Sequence, residues 1–422
     1  MFGFLKTIFD KKPPVKERPP FYPIVCPYCF SKFNPDEVVF RATHASEVDE
    51  DYMLQDDEIL NRYREKFGLA PLDDMEAVIH PDHIPQDNRL YSDHVLVGVI
   101  DGYGFETKKR LCPGCHNELP LTSGKFPSNI ISIVGASQVG KSVYMTSLIH
   151  TLQNSTASNF DAACMPLNAD ISRKFRYNYE EPIFERGRML DSTQKEQRQE
   201  PFIFQFVFKD QSQAPLTLVF FDVAGEGVVE REYLDLYASH IKNSSGILFL
   251  VDPLQIRTIR EKLQINIGDR QGEFTDRYDE PRDVVITMFE SFIGHQQNSK
   301  TDIPTAIVLT KSDMLEYLKE DDGNGYIKSN SNVFRNFVHR QYMNTDEIEN
   351  INGEIRRFIE RVDRPFKDAV DVYFMNTAYF AVSSLGSNPV NQQITGVVNP
   401  IRVDEPFIWL LNQLDYIEGR DE

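Results

Sequence analysis

From about residue 126 onward, short continuous apolar runs alternate with longer stretches of helical spacing. The runs are Ile130–Val134, Phe202–Phe208, Leu216–Phe221, Gly246–Val251 and Ile303–Leu309, with one more inside Val370–Val382. Runs of this length, rich in β-branched and aromatic residues, predict strands buried on both faces. The stretches Lys141–Asn154, Glu230–Ile241, Asp283–Gln296, Asp346–Arg361 and Glu405–Tyr416 predict helices between them. Strands alternating with helices predict an α/β domain over 126–422, with a mostly parallel sheet and helices on both faces. Polar, Gly/Asn/Asp-rich stretches at 262–280 and 320–345 read as insertions in it.

Between residues 21 and 125 the pattern is sparser. Val38–Arg41 and Val95–Ile100 read as strands, Asp101-Gly102 supplies a turn, and Phe105–Leu111 returns. A small β-rich domain is therefore expected. Within it, about 42–94 is acidic and weakly periodic, with Glu47, Asp49, Glu50, Asp51, Asp56, Asp57 and Glu58. That stretch reads as a solvated insertion with one helix near Asp57–Phe67. Residues 1–20 read as a hydrophobic leader, Met1–Phe9, and a linker holding Pro13, Pro14, Pro19 and Pro20. The leader is too short for a signal peptide and is expected to dock on the protein itself, with a short membrane-surface or partner-docking helix as the alternative.

Composition narrows the function. The chain has 422 residues, 41% hydrophobic and 26% charged, with a net charge of −19. Such acidity repels phosphates, so nucleic acid is not the expected partner. No apolar run reaches the ~18 residues of a membrane-spanning helix. Four of the five cysteines form two pairs, Cys26-Pro27-Tyr28-Cys29 and Cys112-Pro113-Gly114-Cys115. Two such turns aim four thiolates at one tetrahedral centre with no open position, which predicts a structural Zn2+ in a zinc ribbon. His44 and His116 are expected to be bystanders, and Cys164 a small buried residue. Four cysteines kept for metal point to the cytoplasm, and the acidic surroundings of the ribbon favour a protein partner.

The first chemical motif is Gly135-Ala136-Ser137-Gln138-Val139-Gly140-Lys141-Ser142, followed by Val143. It lies between a predicted strand and a predicted helix. The glycines let backbone N–H groups curl around phosphates, Lys141 reaches the β- and γ-phosphates, and the Ser142 hydroxyl is a ligand for Mg2+. Asp222-Val223-Ala224-Gly225 follows a buried strand. Asp222 is expected to hold Mg2+ through water, and the Gly225 N–H to bond the γ-phosphate. Thr310-Lys311-Ser312-Asp313 ends the next strand. An Asp313 carboxylate there accepts from guanine N1–H and the 2-amino group, donors that adenine lacks. The Lys311 stem would lie along the base. Ser383-Ser384 closes the last strand, where a backbone N–H can meet guanine O6. Asp313 also suits a helix N-cap, and only the order of the motifs favours base recognition.

These four motifs resemble the TRAFAC-type, Ras-like P-loop GTPases over about residues 128–418. The likeness narrows to the bacterial double-GTPase group associated with conflict systems on three features: Glu226 after Gly225, the strand end Val251-Asp252-Pro253, and Pro400-Ile401-Arg402-Val403-Asp404-Glu405-Pro406. The resemblance implies a first-switch threonine that ligates Mg2+ in the GTP state. Thr193 is the choice and Ser192 the runner-up. It also exposes two departures. Glu226 stands where Gln commonly orients the attacking water, so hydrolysis is expected to be slow or to need a partner. Thr310 stands where Asn is commoner. Arg186 or Arg188 is a weaker expectation for an internal arginine finger. The implied function is a switch binding GTP/GDP and hydrolysing GTP, with Lys141, Thr193 and Glu226 as catalytic residues. The alternative is a nucleotide-binding adaptor that turns over little.

Overall fold

The computed structural model describes residues 21–136, 139–190, 200–220, 238–267, 280–290, 300–320, 327–328, 330–390 and 392–421. Its centre is a seven-stranded sheet: β1 (Asn129–Gly135), β2 (Ala162–Pro166), β3 (Phe202–Phe208), β4 (Leu216–Phe220), β5 (Gly246–Val251), β6 (Thr305–Leu309) and β7 (Thr377–Ala381). The spatial order is β2-β3-β4-β1-β5-β6-β7. The pairs from β4 through β7 are parallel, and the β2–β3 and β3–β4 pairs are antiparallel.

The expected runs became these strands because their side chains are covered on both sides. Every residue of β5 and of β6 is buried. Strand β2 was not legible, because Ala162, Cys164 and Pro166 form a short edge run that local periodicity does not mark. It is held by five residue pairs to β3, from Ala162 opposite Phe208 to Pro166 opposite Phe204.

The helices are α1 (Lys141–Thr151), α2 (Ala169–Phe175), α3 (Arg257–Ile267), α4 (Pro281–Met288), α5 (Thr345–Val362), α6 (Arg364–Tyr373) and α7 (Glu405–Gln413). Helix α1 opens at the expected residue and runs on through wider turns to Asn159. Helix α5 lies on β7, and α7 on β5 and β6. The helix expected over Glu230–Ile241 is described only from residue 238, where it is helical. The polar stretch from 262 is helical up to Ile267 as part of α3.

In the N-terminal region, Ile24–Val25 pairs with Lys32–Phe33, and Val39–Arg41 is flanked by Val78–Ile79 and Arg110–Leu111. A second small sheet joins Arg89–Ser92, Val95–Ile100 and Glu106–Thr107. The single return strand expected over Phe105–Leu111 is therefore split between two sheets. The acidic stretch carries its expected helix, Glu58–Glu65, which packs Leu60 and Tyr63 into the domain while most acidic residues of the stretch stay exposed. Tyr63, Phe67, Ala77 and Ile79 are in the core. Asp57 is buried, with its carboxylate 2.5 Å from Arg41 Nη2 and 2.8 Å from His116 Nδ1. Burial acts to raise that carboxyl, yet hydrogen bonds from His116, the Leu60 N–H and Arg41 hold it well below the usual carboxylate range. Composition places these carboxylates at the surface, as Glu47, Glu50, Asp51, Asp56 and Glu58 are, and says nothing about which one, here Asp57, finds a buried cation.

Candidate functional site

The parallel strands end together. Gly135 pairs with Leu250, Val251 with Leu309, and Leu309 with Ala381. The segments that follow Gly135, Val251, Leu309 and Ala381 therefore leave one edge of the sheet, at the point where strand order reverses about β1. A crevice outside the carboxyl ends of the strands is where such sheets bind ligands.

The phosphate loop begins at Gly135, where an added Cβ would come 2.8 Å from the Leu250 carbonyl oxygen. Only glycine lets the loop turn so close to β5. Gly140 has φ +85 and caps α1. Val139 is fully buried, which anchors the loop from beneath. The Lys141 ammonium donates to the Gly135 carbonyl at 3.2 Å, across the loop. The Thr146 hydroxyl donates to the Ser142 carbonyl at 2.7 Å. Val143 packs in a small apolar cluster with Ile183, Leu385 and Ile394. The N-terminal end of α1 thus faces the loop, and this donor arrangement suits an anion.

The base loop touches the phosphate loop directly. The buried Thr310 hydroxyl donates to Val139 O at 3.0 Å. A hydroxyl therefore makes the bridge at the position where the resemblance led one to look for Asn. Lys311 has φ +52 and its ammonium is paired with Asp252, which is itself buried. Asp252 also accepts from the Leu254 N–H at 2.9 Å and caps the short helical turn Pro253–Gln255. Asp313 is half-buried and accepts from the Ser383 hydroxyl at 2.6 Å. Burial pushes the Asp313 carboxyl up, against that hydrogen bond. The Ser383 N–H donates to Ile401 O at 3.0 Å, and Ser384 O accepts from the Ser147 hydroxyl of α1 at 2.7 Å.

Three groups in this site were not identified from sequence as working residues. Asp252 is the first; the strand end Val251-Asp252-Pro253 marked it only as a feature of the resemblance, with no role attached. The second is Arg402, buried between Glu405 at 2.5 Å and Glu347 and donating to Asn332 O and Arg335 O. It fixes the segment whose Ile401 pairs with Ser383. The third is a clasp. Met189 N donates to Gln392 O at 3.0 Å and Ile394 N to Gly187 O at 2.8 Å, so 187–189 lies along 392–394. Pairing between such distant segments leaves no trace in local periodicity.

Ser137, Gln138, Ser192, Thr193, Asp222, Gly225 and Glu226 lie outside the described residues. Of the two candidate finger arginines, Arg186 is engaged by Glu181 at 2.9 Å. The backbone of Arg188 is bridged to Gln393.

The four paired cysteines converge. Their sulfur atoms all lie within 4.8 Å of one another, with Cys26 Sγ 3.7 Å from Cys115 Sγ and Cys29 Sγ 3.6 Å from Cys112 Sγ. A tetrahedron with Zn–S bonds of about 2.3 Å has edges near these lengths. The two turns share one geometry. Phe30 N donates to Cys26 O and His116 N to Cys112 O, and Phe30 and His116 both have positive φ. Backbone N–H groups of Tyr28 and Gly114 point at Cys26 Sγ and Cys112 Sγ, at 3.4 and 3.3 Å. This donor set fits a thiolate-bound metal. His116 turns instead to Asp57, and His44 stacks on Tyr52.

The sequence pattern of the family described as Double-GTPase 2 matches residues 129–352, which span the phosphate and base loops. A curated relative, provisionally described as the ESX-1 scaffolding and assembly protein SaeC of Mycolicibacterium smegmatis, is 24% identical over 318 residues, covering 71% of this chain and 78% of that protein. The solved Arl6 (BBS3) small GTPase of Trypanosoma brucei, bound to the analogue GppNp, matches 69% of this chain and 99% of its own at 11% identity and a TM-score of 0.27. The bacterial selenocysteine-specific elongation factor EF-Sec matches 69% of this chain and 30% of its own at 13% identity and a TM-score of 0.25. The strand order and the family match together give the chain the α/β fold of the P-loop GTPases.

Proposed function

Because the chain belongs to the Double-GTPase 2 family, we propose that it is a molecular switch that binds GTP and GDP with Mg2+ and hydrolyses GTP. One observation carries this reading: the Thr310 hydroxyl ties the base loop to Val139 of the phosphate loop, beside Asp313 held by Ser383. Phosphates and base of one nucleotide would then be gripped by a single connected unit. Residues 135–143 would cradle the phosphates, with Lys141 on the β- and γ-phosphates. Ser142, Asp222 and Thr193 are the proposed Mg2+ ligands, and the ion would neutralise developing phosphate charge. Asp313 would accept from the guanine edge, and the Lys311 stem would lie along the ring. The Ser383 N–H is already given to Ile401, so Ser384 is left to offer a backbone donor to guanine O6.

Glu226 is the proposed water-orienting residue. A carboxylate beside an anionic phosphate implies slow unaided turnover. That supports a second reading, a nucleotide-bound adaptor with little intrinsic hydrolysis. The relative described as a scaffolding and assembly protein is compatible with it. In either reading Cys26, Cys29, Cys112 and Cys115 would hold a structural Zn2+, and the N-terminal domain would dock a protein partner in the bacterial cytoplasm. No helix among the described residues is long and apolar enough to cross a membrane.

Calorimetry with GTP, GDP and ATP tests the binding claim, and preferential ATP binding would overturn it. Multiple-turnover assays separate the two readings. Sustained phosphate release favours the switch, and tight binding without release favours the adaptor.

A further inference from the structure

Away from the nucleotide and the cysteines, two turns of the N-terminal domain face each other. In the first, Ser46 N donates to Tyr52 O at 2.9 Å and Tyr52 N to Asp49 O at 3.0 Å. In the second, Asp101 Oδ1 accepts from both Tyr103 N and Phe105 N at 2.9 Å. The Tyr103 hydroxyl donates to Asp49 Oδ2 at 2.6 Å and locks the two turns together. Their rings form one cluster. His44 stacks on Tyr52 at 4.9 Å and lies 4.5 Å from Phe105, and Tyr103 meets His44 and Tyr52 edge-on, each at 5.2 Å.

This cluster is ordered but wet. Tyr103 and Phe105 are each 50% exposed, and Val48 is 91% exposed. An exposed patch of large apolar rings is costly unless something covers it in function. Its charge indicates what that is. Glu47, Glu50 and Asp51 are exposed beside it, and no lysine or arginine occurs from Ala42 to Asn61; after the second turn come exposed Lys108 and Lys109, of which Lys108 is paired with Glu106 at 2.6 Å. Ring faces carry negative potential, and carboxylates at their edge add to it. An apolar partner would strip water from those carboxylates without return, and a nucleic acid would be repelled. A guanidinium or ammonium stacked on the rings satisfies both features at once.

We propose that this patch docks an extended arginine- and lysine-rich segment of a protein partner. The proposal deepens the docking role given above to the N-terminal domain, and nucleotide affinity is measured alongside so that the two readings can fail separately. The rings are held by hydrogen-bonded turns, so little ordering entropy is spent on binding.

The test uses the full chain and a fluorescein-labelled peptide of alternating Arg, Lys and Ser, read by anisotropy in 0.15 M salt. The double variant Tyr103→Ala/Phe105→Ala keeps every charge, and its affinity is expected to fall about tenfold. Tyr103→Phe keeps the ring and should hold within about threefold, which separates ring loss from misfolding. Glu47→Gln/Glu50→Gln/Asp51→Asn should weaken binding and flatten its salt dependence. Equal binding by wild type and the double alanine variant, with zinc content and GTP affinity intact, would mean only general attraction to an acidic chain and overturns the proposal. So would equal binding of a Glu/Ser peptide.

Discussion

The buried residues that matter most are those whose polar atoms meet partners fixed by the fold. His240 is fully buried, its Nε2 2.7 Å from the Ser132 hydroxyl, and burial pushes its pKa down to about 3. It stays neutral in the folded chain and takes up a proton near pH 6.5 when unfolded. The unfolded state binds more protons between these values. Stability is therefore full above about pH 6.5 and falls as pH drops towards 3, by about 1.4 kcal/mol per pH unit at most. His240→Asn should flatten the pH 7-to-5 slope of urea-melt stability relative to the wild type; parallel slopes would contradict it. Thr310→Ala removes the hydroxyl between the two loops and leaves Val139 O short of a donor. A loss of about 1 kcal/mol, roughly fivefold in GTP affinity, is expected by calorimetry. Asp313→Asn is expected to move preference from guanine towards xanthine nucleotides, and unchanged GTP affinity would remove Asp313 from base recognition.

At the level of elements, the loop after β7 is held by its backbone. Gly386 has φ +76, and an added Cβ would sit 2.2 Å from Asn399 O. Its N–H donates to the Ser383 hydroxyl at 2.9 Å, the same hydroxyl that bonds Asp313. Gly386→Ala is thus strained in two ways, by conformation and by backbone contact. It should lower thermal stability and, where the variant is still folded, weaken GTP and GDP binding alike by an order of magnitude or more, read by calorimetry. Strands β5 and β6 were legible as continuous apolar runs because burial on both faces writes itself into every position. The clasp of 187–189 on 392–394 and the edge strand β2 were not, since each depends on a partner far away in sequence.

Across the whole molecule, the two expected domains share one core. Ile24, Tyr28 and Phe30 belong to the same apolar cluster as Ile130 and Ile131 of β1. The Phe30 ring lies 4.6 Å from His240, and Asn243 Nδ2 donates to Phe30 O at 3.4 Å. The first cysteine turn thus leans on the segment that follows Asp222–Gly225 and, through His240 and Ser132, on the strand entering the phosphate loop. Removal of zinc by a zinc-selective chelator, with Mg2+ kept in excess, should therefore lower the melting temperature and also speed GDP dissociation severalfold, followed with a fluorescent GDP analogue. A melting shift with unchanged dissociation would leave the metal with a purely local role. What sequence alone determined is the set of local dictates: glycines where a loop must turn tightly around phosphate, cysteines spaced for one metal, and apolar runs long enough to be buried strands. What only the tertiary structure decided is which distant groups meet. Asp57 with Arg41 and His116, Lys311 with Asp252, Thr310 with Val139, and Phe30 with His240 are all pairs brought together by packing. Spacing along the chain encodes conformation, whereas contacts between distant residues are settled only when the whole core closes.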